Sequence, residues 1–156
     1  MRAAYAVALA VLGRPADAED VAQEAFLVAI ERLDRCRDPD RFSGWLLEIV
    51  RTRALNAVTR RARRSADDEV DEVDAPGAHP GLPGDSGLRR RLLDALATLT
   101  VAQREVVLLH DLEDWTHAEI AEALALSEVN CRQHLFTARR ALRRQLAALE
   151  PEALHG

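Results

Sequence analysis

A chain of 156 residues with 21 arginines, no lysine, 26 acids and a net charge of −5 has room for one sizeable domain or two small ones. Its 48% hydrophobic content is ordinary for a soluble globular protein, and β-branched runs are absent, which favours helix. Two distant cysteines, Cys36 and Cys131, and five scattered histidines speak against a disulfide framework or a metal site, and no apolar run reaches the ~20 residues that span a bilayer.

The opening "MRAAYAVALAVLG" has one arginine and no A-x-A cleavage pattern, so it reads as a helix over Arg2–Leu12 ending at Gly13 rather than as a leader. Pro15 and Asp17 open a second helix running to about Asp34, with Val21, Ala25, Phe26, Ala29, Ile30 and Leu33 on its apolar side. "RCRDPDRFSG" makes a loop. A third helix starts between Arg41 and Ser43 and carries Phe42, Trp45, Leu46, Ile49, Val50, Leu55 and Val58 at spacings of three and four before ending in "RRARR".

Composition then changes. Ser65 to Gly87 holds seven acids, no arginine, three prolines and four glycines. Such a stretch buries too little apolar surface to offset its ordering entropy, and it is predicted to be a flexible linker. Residues 1–64 carry +3, residues 65–88 carry −7 and residues 89–156 carry −1, so the acidic balance lives in the tether. The low pI therefore does not argue against a nucleic-acid partner. The predicted organisation is all-α: a three-helix unit over 1–64, an acidic linker over 65–87 and a four-helix unit over 88–150, two compact bodies folded separately.

The second unit begins with a helix over Leu88–Leu99. Thr100 and Gln103 have capping-box spacing and open a helix to about Asp111. Thr116 and Glu119 repeat that spacing before "HAEIAEALA", and Ser127 caps a last helix to about Leu149. A short helix, the turn "ALS" and a longer helix make a helix-turn-helix, whose second helix enters the major groove with its N-terminal part against base edges. The residues there include Asn130, Arg132, Gln133 and His134, and Asn, Gln and Arg suit bidentate base contacts. Arg139, Arg140, Arg143 and Arg144 follow, with arms long enough to reach phosphates, while Leu135, Ala138, Leu142, Leu146 and Leu149 form the opposing apolar stripe. A solvated basic helix end is the plainer alternative, since the macrodipole favours cations there. Arg51, Arg53, Arg60 and Arg61 form a basic edge on the third helix that could follow a DNA backbone. Phe42 and Trp45 suit either base stacking or core packing.

Two stretches carry a family resemblance. "DAEDVAQEAFLVAIERLDRCRDPDRFSGWLLEIVRTRALNAVTRRARR" resembles region two of extracytoplasmic-function (ECF) RNA polymerase sigma factors, and "LATLTVAQREVVLLHDLEDWTHAEIAEALALSEVNCRQHLFTARRALRRQL" resembles region four. The resemblance implies an initiation factor with two partners, core RNA polymerase and promoter DNA, and an anti-sigma factor as a possible third. The unpaired cysteines fit a reduced cytoplasmic setting, and the composition predicts no membrane insertion and no cofactor. Region two would dock on polymerase through the positions of Asp17, Asp20, Gln23 and Glu24. It would melt the minus-ten element with the loop Arg37–Ser43 and with Arg51, Arg53 and Asn56, region four would read the minus-thirty-five element, and the tether would thread toward the active-site cleft.

The chain departs from the family at several places. Its first helix is shorter than usual, Thr52 stands where Asn is common, and Ala125 and Asp114 replace glycines. "VNCRQH" also differs from the common recognition-helix pattern, so no base preference carries over. The competing reading is a stand-alone helix-turn-helix regulator with a helical N-terminal sensor half, binding DNA as a dimer. No Gly-rich phosphate loop, metal-ligand spacing or nucleophile elbow supports an enzyme.

Overall fold

The computed structural model describes residues 1–67 and 86–148. Among them every regular element is helical: α1 (Arg2–Leu12), α2 (Pro15–Glu31), α3 (Phe42–Asp67), α4 (Ser86–Ala97), α5 (Val101–Val107), α6 (His117–Leu124) and α7 (Glu128–Ala147). The predicted "RCRDPDRFSG" loop contains two short 3₁₀ turns, Leu33–Arg35 and Pro39–Arg41. α3 runs through Ser65 and Ala66 to Asp67. Of the linker expected over 65–87, residues 68–85 lie outside the described residues, and Ser86 and Gly87 belong to α4.

Local chemistry sets most of the ends. Gly13 closes α1 in the left-handed region, with φ 72°, and returns its N–H to Leu9 O. Pro15 sits in the first turn of α2, where its missing N–H costs nothing. Both predicted capping boxes form, at Thr100/Gln103 and at Thr116/Glu119. α5 does not continue to Asp111 as an α-helix. It widens into a π turn over Leu108–Leu112 that closes with Glu113 N–H on Leu108 O.

α1, α2 and α3 pack together, and α7 packs on α4, α5 and α6. The two groups also pack against each other. α1 also packs on α5 and the π turn, α3 packs on α6, and one hydrophobic core runs through both. The reason lies in α1. Ala4, Ala6, Val7, Ala8, Leu9 and Ala10 are all buried, so this helix is apolar nearly all round and has no polar face to give to water. Leu47, Leu109 and Ile120 are the largest apolar side chains fully enclosed. Each contributes about 2 kcal/mol by removal from water.

The apolar sides of α2 and α3 are narrower than their periodicity suggests. Ala18, Val21, Ala22, Ala25 and Ala29 fill the buried side of α2, which leaves Ile30 58% exposed and Leu33 exposed beyond the helix end. On α3, Leu46, Leu47, Val50 and Ala54 are buried, while Leu55 and Val58 face solvent. Alanine-rich packing brings helix axes close, so neighbouring large residues are squeezed to the rim. Phe42 and Trp45, 6.0 Å apart between ring centroids, pack half-buried against the core.

Candidate nucleic-acid interface

The helix-turn-helix is built from backbone upward. Thr116 N–H donates to Glu119 Oε2 at 2.7 Å, and Glu119 N–H donates to Thr116 Oγ1 at 3.2 Å, which fixes the start of α6. α6 stops at Ala125, which is left-handed at φ 54°, ψ 43°. Leu126 N–H then reaches back to Ala121 O at 2.9 Å. Ser127 Oγ accepts from Asn130 N–H at 3.1 Å and starts α7. Ile120, Leu124, Cys131, Leu135 and Ala138 lock the two helices together.

With that side of α7 buried, Val129, Asn130, Arg132 and Gln133 are exposed at its N-terminal part, and Arg140, Arg143 and Arg144 are exposed further along. His134 is half-buried. One contributor was missed in the sequence: Phe136 is 68% exposed, one turn beyond Arg132 and one turn before Arg140. An exposed ring there can meet a thymine methyl group. Its only sequence signal is an aromatic set one place out of register with Leu135.

Arg139 behaves differently. Its guanidinium grips the Asp111 carboxylate through Nε at 2.9 Å and through a second contact from Nη2 to Oδ1. This bond holds the Asp111 carboxyl below the usual carboxylate range and braces the π turn against α7. His110 bonds the same carboxylate at 2.9 Å and stacks on His117, with ring centroids 4.7 Å apart. Burial, and then the charges of His110, Arg132 and Arg139, push the His117 pKa down.

On the first unit the basic edge of α3 is largely engaged with acids. Arg51 Nε donates to Glu105 Oε1 at 3.0 Å, and Glu105 is only 1% exposed. Arg53 lies 3.4 Å from Glu24 and Arg61 lies 3.6 Å from Asp17. Asn56, Arg60, Arg63 and Arg64 are exposed. Asp20, Gln23 and Glu24 form an exposed polar stripe on α2 that Leu27 and Ile30, both exposed, continue for another two turns. An acidic stripe extended by bare aliphatic side chains has the make-up of a protein-docking face.

A groove of about 1110 Å³ separates the two units, with Arg41, Trp45 and Arg51 on one side and Glu119 and Glu122 of α6 on the other. Among the described residues no group of three or more His, Cys, Asp or Glu is placed to hold a metal ion. No helix among them is long and apolar enough to cross a membrane.

Comparison with known proteins places both units. Residues 1–64 match the family model described as sigma-70 region 2, and residues 89–142 match the model described as sigma-70 region 4. The chain is 32% identical over 135 residues to the RNA polymerase sigma factor CarQ of Myxococcus xanthus, an alignment covering 86% of this chain and 78% of CarQ. It is 33% identical over 147 residues to a probable RNA polymerase sigma factor, RfaY, of Xanthomonas campestris pv. campestris, where 90% of this chain spans 37% of RfaY. The fold is similar to that of the sigma factor RpoE from Bartonella quintana, solved in complex with the anti-sigma factor NepR: TM-score 0.73, 22% identity, 93% of this chain and 90% of that one.

Proposed function

The chain belongs to the sigma-70 family of RNA polymerase sigma factors, as an ECF-type transcription initiation factor, and from that premise we propose a division of labour between its two units. Region 2 docks on core polymerase through Asp17, Asp20, Gln23 and Glu24, with Leu27 and Ile30 extending the contact. Its loop Arg37–Ser43 and the α3 residues Arg51, Arg53 and Asn56 take the parted minus-ten strand. Region 4 lays α7 in the major groove of the minus-thirty-five element. The work is binding rather than catalysis, and it is carried out in the cytoplasm.

The observation that supports this reading most is the position of α7. A doubly capped helix-turn-helix offers Asn130, Arg132, Gln133 and Phe136 on one open face, with Arg140 and Arg143 behind them. Polar forks at the N-terminal end and guanidinium arms beyond it suit base reading followed by phosphate anchoring. Arg60 and Arg63 offer the same phosphate chemistry on region 2. An anti-sigma factor is the third partner in this reading, by analogy with the neighbour solved beside one.

Retention of the purified chain on immobilised core polymerase tests the docking half. We expect a stoichiometric complex, and we expect Asp20→Arg with Glu24→Arg to abolish it without unfolding the chain, since both residues are exposed. Retention that ignores the charge reversal would move the docking face elsewhere.

A further inference from the structure

Four polar side chains from three elements stand in one row inside region 4. His117, the first residue of α6, stacks on His110 of the π turn, with ring centroids 4.7 Å apart. His110 Nδ1 lies 2.9 Å from Asp111 Oδ1. Asp111 in turn accepts two bonds from the Arg139 guanidinium, one from Nε at 2.9 Å and one from Nη2, across 28 positions of sequence. The row ties the start of α6 and the π turn to the middle of α7. The π turn is itself fixed by backbone bonds, with Glu113 N–H on Leu108 O at 3.2 Å and Trp115 N–H on Leu109 O at 2.9 Å.

Apolar packing alone does not set the angle of α7. Its buried side is Cys131, Leu135 and Ala138, two of them small, and apolar attraction has no direction. A roll of about 20° about the helix axis keeps most of that burial. Yet it carries side-chain tips about 6 Å from the axis through about 2 Å, enough to break a hydrogen bond to a base edge. A paired bond between guanidinium and carboxylate does have direction. Arg139 stands seven residues beyond Arg132, on the same edge of α7. Whatever holds Arg139 sideways therefore sets where Arg132 and its neighbour Gln133 point.

We propose that Arg139 is a positioning residue for base reading rather than a phosphate contact: with Asp111, and with His110 and His117 behind it, it sets the roll of α7 at which Arg132 and Gln133 meet base edges. The proposal rests on the placement of α7 in the major groove given above. Phosphate anchoring then falls to Arg140 and Arg143, which are exposed. One consequence separates the two roles. Removing an acid close to DNA ordinarily strengthens binding, because a repulsion is lifted. Here, removing the Asp111 charge loosens the reader and costs selectivity.

Full-length wild type, Asp111→Asn, Arg139→Gln and the double variant test this, each bound to core polymerase. Affinity is measured over a range of salt for DNA selected by the wild-type complex and for the same DNA substituted at single minus-thirty-five positions. Each single variant should shrink the ratio between selected and substituted DNA at least about fivefold. The double variant should lose no more than either single one, because the two residues act as one unit. The salt slope should stay that of the wild type. A slope flatter by about one in Arg139→Gln, with tighter binding to every sequence in Asp111→Asn, would make Arg139 a phosphate contact and overturn the proposal. Losses that add in the double variant would overturn it as well. So would a lower melting temperature with the affinity ratio unaltered below the transition, since the pair would then only support the fold. Arg139→Lys guards against a variant that fails to fold. It keeps a cation able to reach a phosphate but lacks the planar fork, so it should lose selectivity as Arg139→Gln does, and wild-type selectivity would overturn the proposal. If the wild-type complex itself does not discriminate at minus-thirty-five positions, the placement of α7 falls and the positioning role falls with it. A discriminating wild type with unaltered variants overturns the positioning role alone.

Discussion

Ala125 carries a conformational cost in plain view. It ends α6 at φ 54°, in the left-handed region where a Cβ crowds the following carbonyl oxygen. Ala125→Gly should therefore stabilise the chain by about 1 kcal/mol, less what the freer unfolded chain gives back, read as a rise in melting temperature. A fall would mean that the turn is not left-handed in solution. Glu105 makes a second case. Burial raises its pKa above the ordinary 4.5, with Arg51 pulling the other way. A raised carboxyl favours the protonated folded state, so its contribution to stability is full below pH 4.5 and is lost as pH rises through the raised value. Glu105→Gln keeps an oxygen for Arg51 Nε and removes the buried charge. It should leave stability at pH 7 equal or slightly higher and flatten the pH dependence just above 4.5. A loss of about 3 kcal/mol at pH 7 would instead show that the charge itself holds the site. The capping boxes were legible because both partners sit three residues apart, whereas Arg51 and Glu105 lie 54 positions apart and no local pattern connects them.

Among the elements, α7 carries the sharpest test. Arg132 and Gln133 are exposed one turn inside its N-terminus, and Arg143 is exposed three turns later. Arg132→Ala or Gln133→Ala should relax base preference at one or two positions, each by about 1–3 kcal/mol. Arg143→Ala should weaken all sequences alike and reduce the salt slope by roughly one. Identical behaviour of the two classes in a binding titration against substituted sites would take α7 out of the groove. Each predicted helix is present, because caps and breakers such as Gly13, Pro15, Thr100, Thr116 and Ser127 act within a turn of themselves. The faces were harder to read. Periodicity marks Ile30, Leu33, Leu55 and Val58 as inward, yet all four are exposed because alanines already fill the close-packed side. Those bare aliphatic residues on α2 are what a docking face needs, and a pattern of apolar spacing cannot tell core from interface. Phe136 was hidden differently: it stands one place out of register with the Leu135 stripe, and nothing in its spacing marks an exposed ring as a contact.

At the scale of the whole molecule, one core spans two units that the composition presents as separate. The acidic tether divides the sequence cleanly, but it says nothing about whether the pieces on either side touch. α1 decides that, since its apolar surface needs covering on the side away from α2 and α3, and α5 with the π turn covers it. Charge is paired in the same spirit. Arg53 meets Glu24 and Arg61 meets Asp17, so two candidate polymerase-docking acids sit against two candidate DNA-binding arginines. Such exposed pairs are worth under about 1 kcal/mol each, weak enough for polymerase to take the acids and leave the arginines to DNA. Promoter affinity should therefore depend on core. The decisive measurement is a titration of promoter DNA, selected with the core complex, against the free chain and against the chain bound to core polymerase at one salt concentration. Tight, sequence-selective binding only with core is the predicted result. Equally selective binding by the free chain, as a symmetric dimer on half-sites one helical turn apart, would contradict the account.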